Sequence, residues 1–319
     1  MINANKPEKW KTDIVASIDH YNTWFMRFAP EAYRTTRQHT TQQVLDTFQM
    51  TNNLNDLSLT SIKRHPAMLQ ILRMATAPPI ARDRLIGLAN VSPSLVKNME
   101  QFNRLPPRMR LAEVNRQLDA IFAVLSQLLD DDILFWIGRE QTPAPEDVFR
   151  AATVIADRLC GAVSDPIIRN AQEERQLSTI ANWLNVRGYQ LIKSPGVYTR
   201  SSMPAGAYAF HVIVPVRQEG RQKNVNMPID VVIRPKNAAR SDFPLLIEAK
   251  SAGDFTNTNK RRKEEATKFN QLRYTYGHDV RFILYLCGYF DTGYLGYEAA
   301  EGIDWVWEHR IDDLALLGL

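Results

Sequence analysis

Residues 244–254 read PLLIEAKSAGD, and two charges stand where a core strand would continue apolar. Leu245, Leu246 and Ile247 open a strand of the buried kind, and Glu248 and Lys250 follow one residue apart. Taking either charge out of water alone costs several kcal/mol unless it is paired or bound to a metal. With a side-chain period of two, Leu246, Glu248 and Lys250 share one face, and Leu245, Ile247 and Ala249 the other. Two readings follow: a solvated ion pair at a strand end, or the edge of a catalytic site.

The neighbouring segments weigh on that choice. In NVNMPIDVVIRP (224–235), Val225, Met227, Ile229, Val231 and Ile233 are expected to form one apolar face, with Asp230 on the opposite one. The connection 234–243 is short enough for an antiparallel hairpin, which would bring Asp230 within a few ångströms of Glu248. AYAFHVIVPV (207–216) and VRFILYLCGYF (280–290) read as further strands, and NKRRKEEATKFNQLRYTYG (259–277) as a helix between the last two. A long helix over about 166–187 leads into GYQLI. The order helix, three strands, helix, strand predicts an α/β (α+β) domain built on a mixed sheet.

The first half is helical instead. DIVASIDHYNTWFMRFA (13–29) spaces Ile14, Ile18, Tyr21, Phe25 and Phe28 at helical intervals, and LAEVNRQLDAIFAVLSQLL (111–129) repeats the pattern. Breakers at Ala77-Pro78-Pro79, Leu105-Pro106-Pro107 and Thr142-Pro143-Ala144-Pro145 separate the helices. The expected division is a helical domain over 1–160 and a mixed domain over 161–319.

Two carboxylates converging beside a lysine have a definite use. Asp and Glu oxygens bind Mg²⁺, which keeps waters and recruits phosphate oxygens. A bound metal activates water and offsets charge developing on phosphorus, and a lysine can orient the attacking water. The set Pro228-Ile229-Asp230, seventeen intervening residues, then Glu248-Ala249-Lys250, resembles the PD-(D/E)XK nuclease superfamily. One residue is inserted between Pro228 and Asp230. The resemblance implies a restriction-endonuclease-like core, a central mixed sheet flanked by helices, with Asp230 and Glu248 as metal ligands and Lys250 as a catalytic residue.

It also implies an acid on the first core helix. Glu173 shares a helical face with Leu177, Ile180 and Leu184, an unusual place for an acid. It is the candidate, with Glu174 the solvated neighbour and a salt bridge to Arg169 the plain alternative. Longer blocks, IRNAQEERQL (168–177), IEAKSAGDFTNTNKRRKEEATK (247–268), LGYEAAEGIDWVWEHRIDDL (295–314) and ATAPPIARDRLIGLA (75–89), are similar to the XamI-type type II restriction endonucleases. That family implies Mg²⁺-dependent double-strand cleavage at a short palindrome, leaving 5′-phosphates and 3′-hydroxyls. It further implies a homodimer and a cognate DNA methyltransferase. A structure-specific repair nuclease and an inactive DNA-binding module are the alternatives.

Double-stranded DNA needs surfaces to hold it. Lys260, Arg261, Arg262 and Lys263 lie near the start of a helix, where cations oppose the macrodipole. A phosphate would resolve that conflict, and Asn257 and Asn259 just ahead can cap the helix or bond DNA. The plain alternative is a solvated turn offset by Glu264 and Glu265. In PIARDRLIGLANVSPSLVKNMEQ (79–101), two short helices over 81–89 and 93–101 have helix-turn-helix lengths, with Lys97 and Asn98 as groove candidates. Plain scaffold is the alternative here as well.

Composition excludes other classes. The chain has 319 residues, 45% of them hydrophobic, which supports a sizeable core. The net charge of +4 is compatible with nucleic acid without demanding it. Two distant cysteines, Cys160 and Cys287, argue against a disulfide scaffold and point to a reducing cytoplasm. The six histidines show no HxxxH or HxH spacing for zinc, and no Walker-type loop appears. No signal peptide or membrane span is expected.

Overall fold

The computed structural model describes residues 1–139, 142–199, 202–218, 224–239, 241–256 and 258–319, the segment 258–262 by its backbone only. The chain forms two compact units, 29–167 and the pair of segments 1–28 and 168–319.

The 29–167 unit is helical. It comprises the second half of α1 (Pro7–Met50), then α2 (Leu59–Arg64), α3 (Met68–Met74), α4 (Arg82–Ala89), α5 (Pro93–Phe102), α6 (Leu111–Leu128) and the first half of α7 (Pro145–Val186). Its core gathers one stripe from each, including Leu72, Leu85, Leu95, Leu118, Ile121, Trp136 and Ile155. Each such burial contributes about 1.5–3 kcal/mol. The α4–α5 turn follows from its residues. Asn90 takes the left-handed conformation (φ 49°) that closes α4, Ser92 caps α5 through Ser94 N–H, and Pro93 fills the first helical position.

Among the described residues the other unit carries one sheet of six strands in sequence order: β1 (Gln190–Leu191), β2 (Ala207–Val216), β3 (Val225–Ile233), β4 (Leu245–Ala252), β5 (Phe282–Gly288) and β6 (Asp304–Trp307). β2–β3 and β3–β4 are antiparallel; β1–β2, β4–β5 and β5–β6 are parallel. The crossovers between the parallel strands β4, β5 and β6 are α8 (Thr258–Tyr276) and α9 (Thr292–Ala300), and a 3₁₀ segment (Glu308–Leu317) ends the chain. One face packs Leu246, Leu284 and Leu286 against Phe269 and Leu272 of α8 and Leu295 of α9. The other packs Leu245, Ile247 and Tyr285 against Leu177, Ile180 and Leu184 of α7. Trp305 and Trp307 are fully buried, which assigns them to packing. Gly288 (φ 98°) lies so close to Ala252 that a Cβ would meet its carbonyl oxygen at 2.1 Å. Only glycine lets the two strand ends approach so nearly.

Three expectations change. The opening residues pack with the sheet and not with the helical unit: Asp304 Oδ1 accepts from the Asn3 and Ala4 N–H groups, each at 3.0 Å, and Trp10 stands 5.6 Å from Trp305. Helical periodicity marks an apolar stripe but not the core it joins. The helix expected from 166 begins at Pro145 and runs through Pro166. Both unit boundaries fall within two residues of a proline inside a long helix, Pro30 or Pro166.

The third change concerns β3. Met227 and Ile229 pack on the α8 face, but Val231 and Ile233 pack on the α7 face and Val232 takes the α8 side. The single apolar face expected over 225–233 is therefore two half-faces that meet at Asp230. β2 reverses at the facing position: Ala209, Val212, Val214 and Val216 all lie toward α8, so the alternation skips at His211. His211 has φ 51°, and the paired register passes from Phe210↔Val231 to Val212↔Ile229 without pairing His211 to Asp230.

Candidate active site

The site lies where β3 and β4 part. Their pairing covers Ile233↔Leu245, Val232↔Leu246 and Val231↔Ile247, and the same register sets Asp230 opposite Glu248. There the backbone ladder gives way to a side chain: Asp230 Oδ2 accepts from the Ala249 N–H at 2.9 Å. An amide freed by diverging strands must find an acceptor, and a carboxylate at the fork provides one. Asp230, Glu248, Lys250 and Glu173 line one cavity of about 280 Å³ with Gln172, Gln176 and Ser251.

Glu248 is 3% exposed, so the solvated-pair reading does not hold. Its Oε1 lies 3.0 Å from Lys250 Nζ and also accepts from Lys268 Nζ of α8. Its Oε2 is buried with no hydrogen-bond partner among the described residues. Glu265, one turn before Lys268, stands 4.0 Å from Lys250 Nζ and accepts from Tyr294 O–H. Charges thus alternate Lys268, Glu248, Lys250, Glu265, a pairing that makes their burial tolerable.

Burial pushes the Asp230 carboxyl up to about 6, with the Glu248 charge adding to it and the Ala249 N–H opposing. Burial opposes the Lys250 ammonium too, yet Glu248 and Glu265 outweigh it and raise its pKa above the ordinary lysine value. Lys250 is therefore a fixed cation at neutral pH. Glu265 is raised by burial, against the Tyr294 hydroxyl and Lys250.

The donor set fits a hard divalent cation. Two carboxylates meet at one cavity, and a buried, unpartnered oxygen such as Glu248 Oε2 is what a cation ligand looks like before the ion arrives. Asp230 and Glu248 are the carboxylates that could hold it.

Glu173 lines the same cavity but is exposed, its Oε1 lies 3.9 Å from His211 Nδ1, and no ion pair joins it to Arg169 among the described residues. Lys97 is exposed on α5, and Asn98 donates back to the Ser94 carbonyl at 2.8 Å. Arg82 is committed to Glu100 at 3.0 Å, within a network that also holds Arg73. Lys263 is exposed on α8. Asn257 lies outside the described residues, as do the side chains of Asn259, Lys260, Arg261 and Arg262.

Lys268 carries no distinguishing sequence signal, and Glu265, expected to be a solvated counter-charge, is 1% exposed. A signal was present: Glu265 shares a helical face with Phe269 and Leu272, the same anomaly that singled out Glu173. Lys268→Met is expected to lower the melting temperature of the metal-free protein by an amount worth about 1–3 kcal/mol, since it takes an ammonium from a buried carboxylate. Calorimetry checks it, and an unchanged melting point would remove Lys268 from the network.

Behind the site, Arg175 donates to Cys287 Sγ (3.3 Å) and to Glu308 Oε2 (3.0 Å), with His20 3.5 Å from Glu308. The His20, Cys287 and Glu308 donors lie close enough for a metal, but the guanidinium already bonds two of them. The cluster is an ion-pair brace for α7.

The model of the XamI restriction endonuclease family matches residues 52–307. The type II restriction enzyme SalI of Streptomyces albus G is 52% identical over 318 residues, spanning 100% of both chains. No solved structure matches.

Proposed function

This chain belongs to the XamI restriction endonuclease family, and we propose that it cuts both strands of a short palindromic DNA sequence through Asp230, Glu248 and Lys250, as a type II restriction endonuclease. As a site-specific deoxyribonuclease its substrate is DNA. The observation that carries the residue assignment is the buried alternation of charge around Glu248, which leaves Oε2 unpartnered in a residue that lines one cavity with Asp230.

In this reading Asp230 and Glu248 hold Mg²⁺. When bound, the ion supplies Lewis acidity toward water and the phosphoryl oxygens. Lys250 Nζ, fixed by Glu248 and Glu265, orients the attacking water and offsets charge on the phosphorus. Oxygen from water bonds to phosphorus and the P–O3′ bond breaks. The 3′ oxygen gains a proton, leaving a 5′-phosphate and a 3′-hydroxyl. Glu173 supports the cation side of the cavity.

The rest of the proposal concerns how the protein meets DNA. The core is of the PD-(D/E)XK kind, supported by the order and placement of Asp230, Glu248 and Lys250 on adjoining strands. Lys260, Arg261, Arg262 and Lys263 on α8, with Asn257 and Asn259, contact phosphates. The 29–167 unit reads sequence and mediates dimerisation, with Lys97 and Asn98 of α5 toward the groove. A palindrome presents the same bases to two subunits, so a homodimer is the economical reader. A cognate methyltransferase protects host DNA, and both proteins work in the cytoplasm. No helix of the described residues is long and apolar enough to cross a membrane.

The test is incubation of unmethylated phage DNA with protein and Mg²⁺, beside Asp230→Ala and Ca²⁺ controls. Discrete fragments absent from both controls are expected, with palindromic, 5′-phosphorylated ends on sequencing. Fragments that persist with Asp230→Ala would move the metal site elsewhere, and non-palindromic ends would remove the symmetric dimer.

A further inference from the structure

Arg169, Gln172, Glu173 and Gln176 of α7 line the catalytic cavity, at the spacing of a single helical face. Three of them are already engaged. Gln176 is 1% exposed and donates to the Lys250 carbonyl at 3.4 Å and the Tyr285 carbonyl at 3.3 Å, which anchors the helix to β4 and β5. Gln172 donates to the Tyr21 hydroxyl at 2.7 Å, and Glu173 stands 3.9 Å from His211. Arg169 is exposed at the outer end of this row and makes no ion pair or side-chain hydrogen bond among the described residues. Glu173 follows it by one turn, but an arginine ahead of a glutamate is the weaker order for such a pair.

The charge of the wall gives that guanidinium a use. Among the described residues the cavity is lined by four acids, Glu173, Asp230, Glu248 and Glu264, against two cations, Lys250 and Arg169. Lys250 is shared between Glu248 and Glu265, at 3.0 and 4.0 Å. A phosphodiester entering there meets more like charge than unlike, and Arg169 is the lining cation still able to meet it. A guanidinium presents a planar fork that matches two phosphate oxygens at once. The phosphate to be cut must lie against Lys250. Gln176 touches the Lys250 backbone, and Arg169 stands seven residues from it, a rise of about 10 Å along the helix. That offset suits the next phosphate of the strand better than the one that is cut.

We propose that Arg169 binds the phosphate flanking the scissile one and so sets the cut strand in register with Lys250. The inference rests on the assignment of the cavity to phosphodiester cleavage. It makes Arg169 a substrate-binding residue that acts before the chemical step.

The test measures binding of the full-length protein, in Ca²⁺, to a duplex carrying the mapped cleavage site. Parallel duplexes replace one phosphate at a time around the cut by a neutral methylphosphonate. Arg169→Ala is expected to weaken binding to the unmodified duplex by about tenfold, the worth of one charged, hydrogen-bonded contact. Against one duplex neutral at a flanking phosphate, the same substitution should cost less than about twofold, because its partner charge is already gone. The slope of log affinity against log salt should fall by about one. Arg169→Lys should recover part of the loss, since an ammonium keeps the charge without the fork. Arg169 is exposed, so its replacement leaves the core intact, and Arg169→Gln serves if the alanine variant melts early. Wild-type affinity in both neutral variants, an equal loss on every duplex, or coupling to the scissile phosphate alone would overturn the inference by itself. A wild-type protein that neither cuts nor prefers any duplex would overturn the reading on which it rests.

Discussion

Lys250→Ala is expected to lower the rate of DNA cleavage by at least about a thousandfold while leaving DNA binding in Ca²⁺ nearly unchanged. The reason is electrostatic. Glu248 and Glu265 keep the Lys250 ammonium charged despite its burial, so at neutral pH it acts as a fixed cation and not as a base. Removing a charge aimed at a developing transition-state charge costs about 10²–10³ in rate, and loss of water orientation adds to that. Binding draws on other cations spread along the duplex, so one buried ammonium matters little to it. Lys250→Arg should recover only part of the rate, because a planar fork cannot replace a point charge held 3.0 Å from Glu248 Oε1. Single-turnover cleavage beside a Ca²⁺ binding assay separates the two effects. Cleavage by Lys250→Ala at the wild-type rate would end the assignment of this site.

The second large effect is one of opposite signs. Asp230→Asn should abolish cleavage and yet stabilise the metal-free protein at pH 8 by about 3 kcal/mol. Burial and the nearby Glu248 raise the Asp230 carboxyl from 3.8 to about 6. Between those values the folded protein holds a proton that the unfolded chain has lost, so stability falls as pH rises through this window. Above pH 6 the whole penalty is present, a shift of about two units at about 1.4 kcal/mol each. Below about pH 4 both states are protonated and the penalty is gone. An asparagine keeps an oxygen to accept from the Ala249 N–H and carries no charge. Its advantage should therefore be full at pH 8 and vanish near pH 4. Adding Mg²⁺ should restore the wild type alone, because an ion that binds only the folded state stabilises it. Equal melting temperatures at pH 8, or the same gain at both pH values, would show that Asp230 is not held in an unfavourable charged state.

Much of the site was legible because its signals are local. A Glu and a Lys in an apolar strand, an Asp in the strand before it, and an acid on an apolar helical stripe each violate burial patterning, and such violations need no coordinates to be seen. The same rule applied to Glu265 would have found it, but an adjoining basic run offered an easier explanation. Lys268 and His211 had no comparable signal. A lysine on a helix and a histidine in a strand are ordinary, and only the packing of α8 on the sheet and the reversal at His211 bring them to the carboxylates.

By itself, then, the chain determined the helical first half, the helix–strand order of the second, and the carboxylates and lysine of the candidate centre. These follow from periodicity and from the cost of burying charge, which act over a few residues. Only the tertiary structure decided that residues 1–28 join the sheet, that β2 and β3 exchange faces at His211 and Asp230, and that Glu248 is shared by two lysines. Those depend on contacts between residues far apart in sequence: an apolar stripe does not name its partner, and a register does not reveal where two strands part.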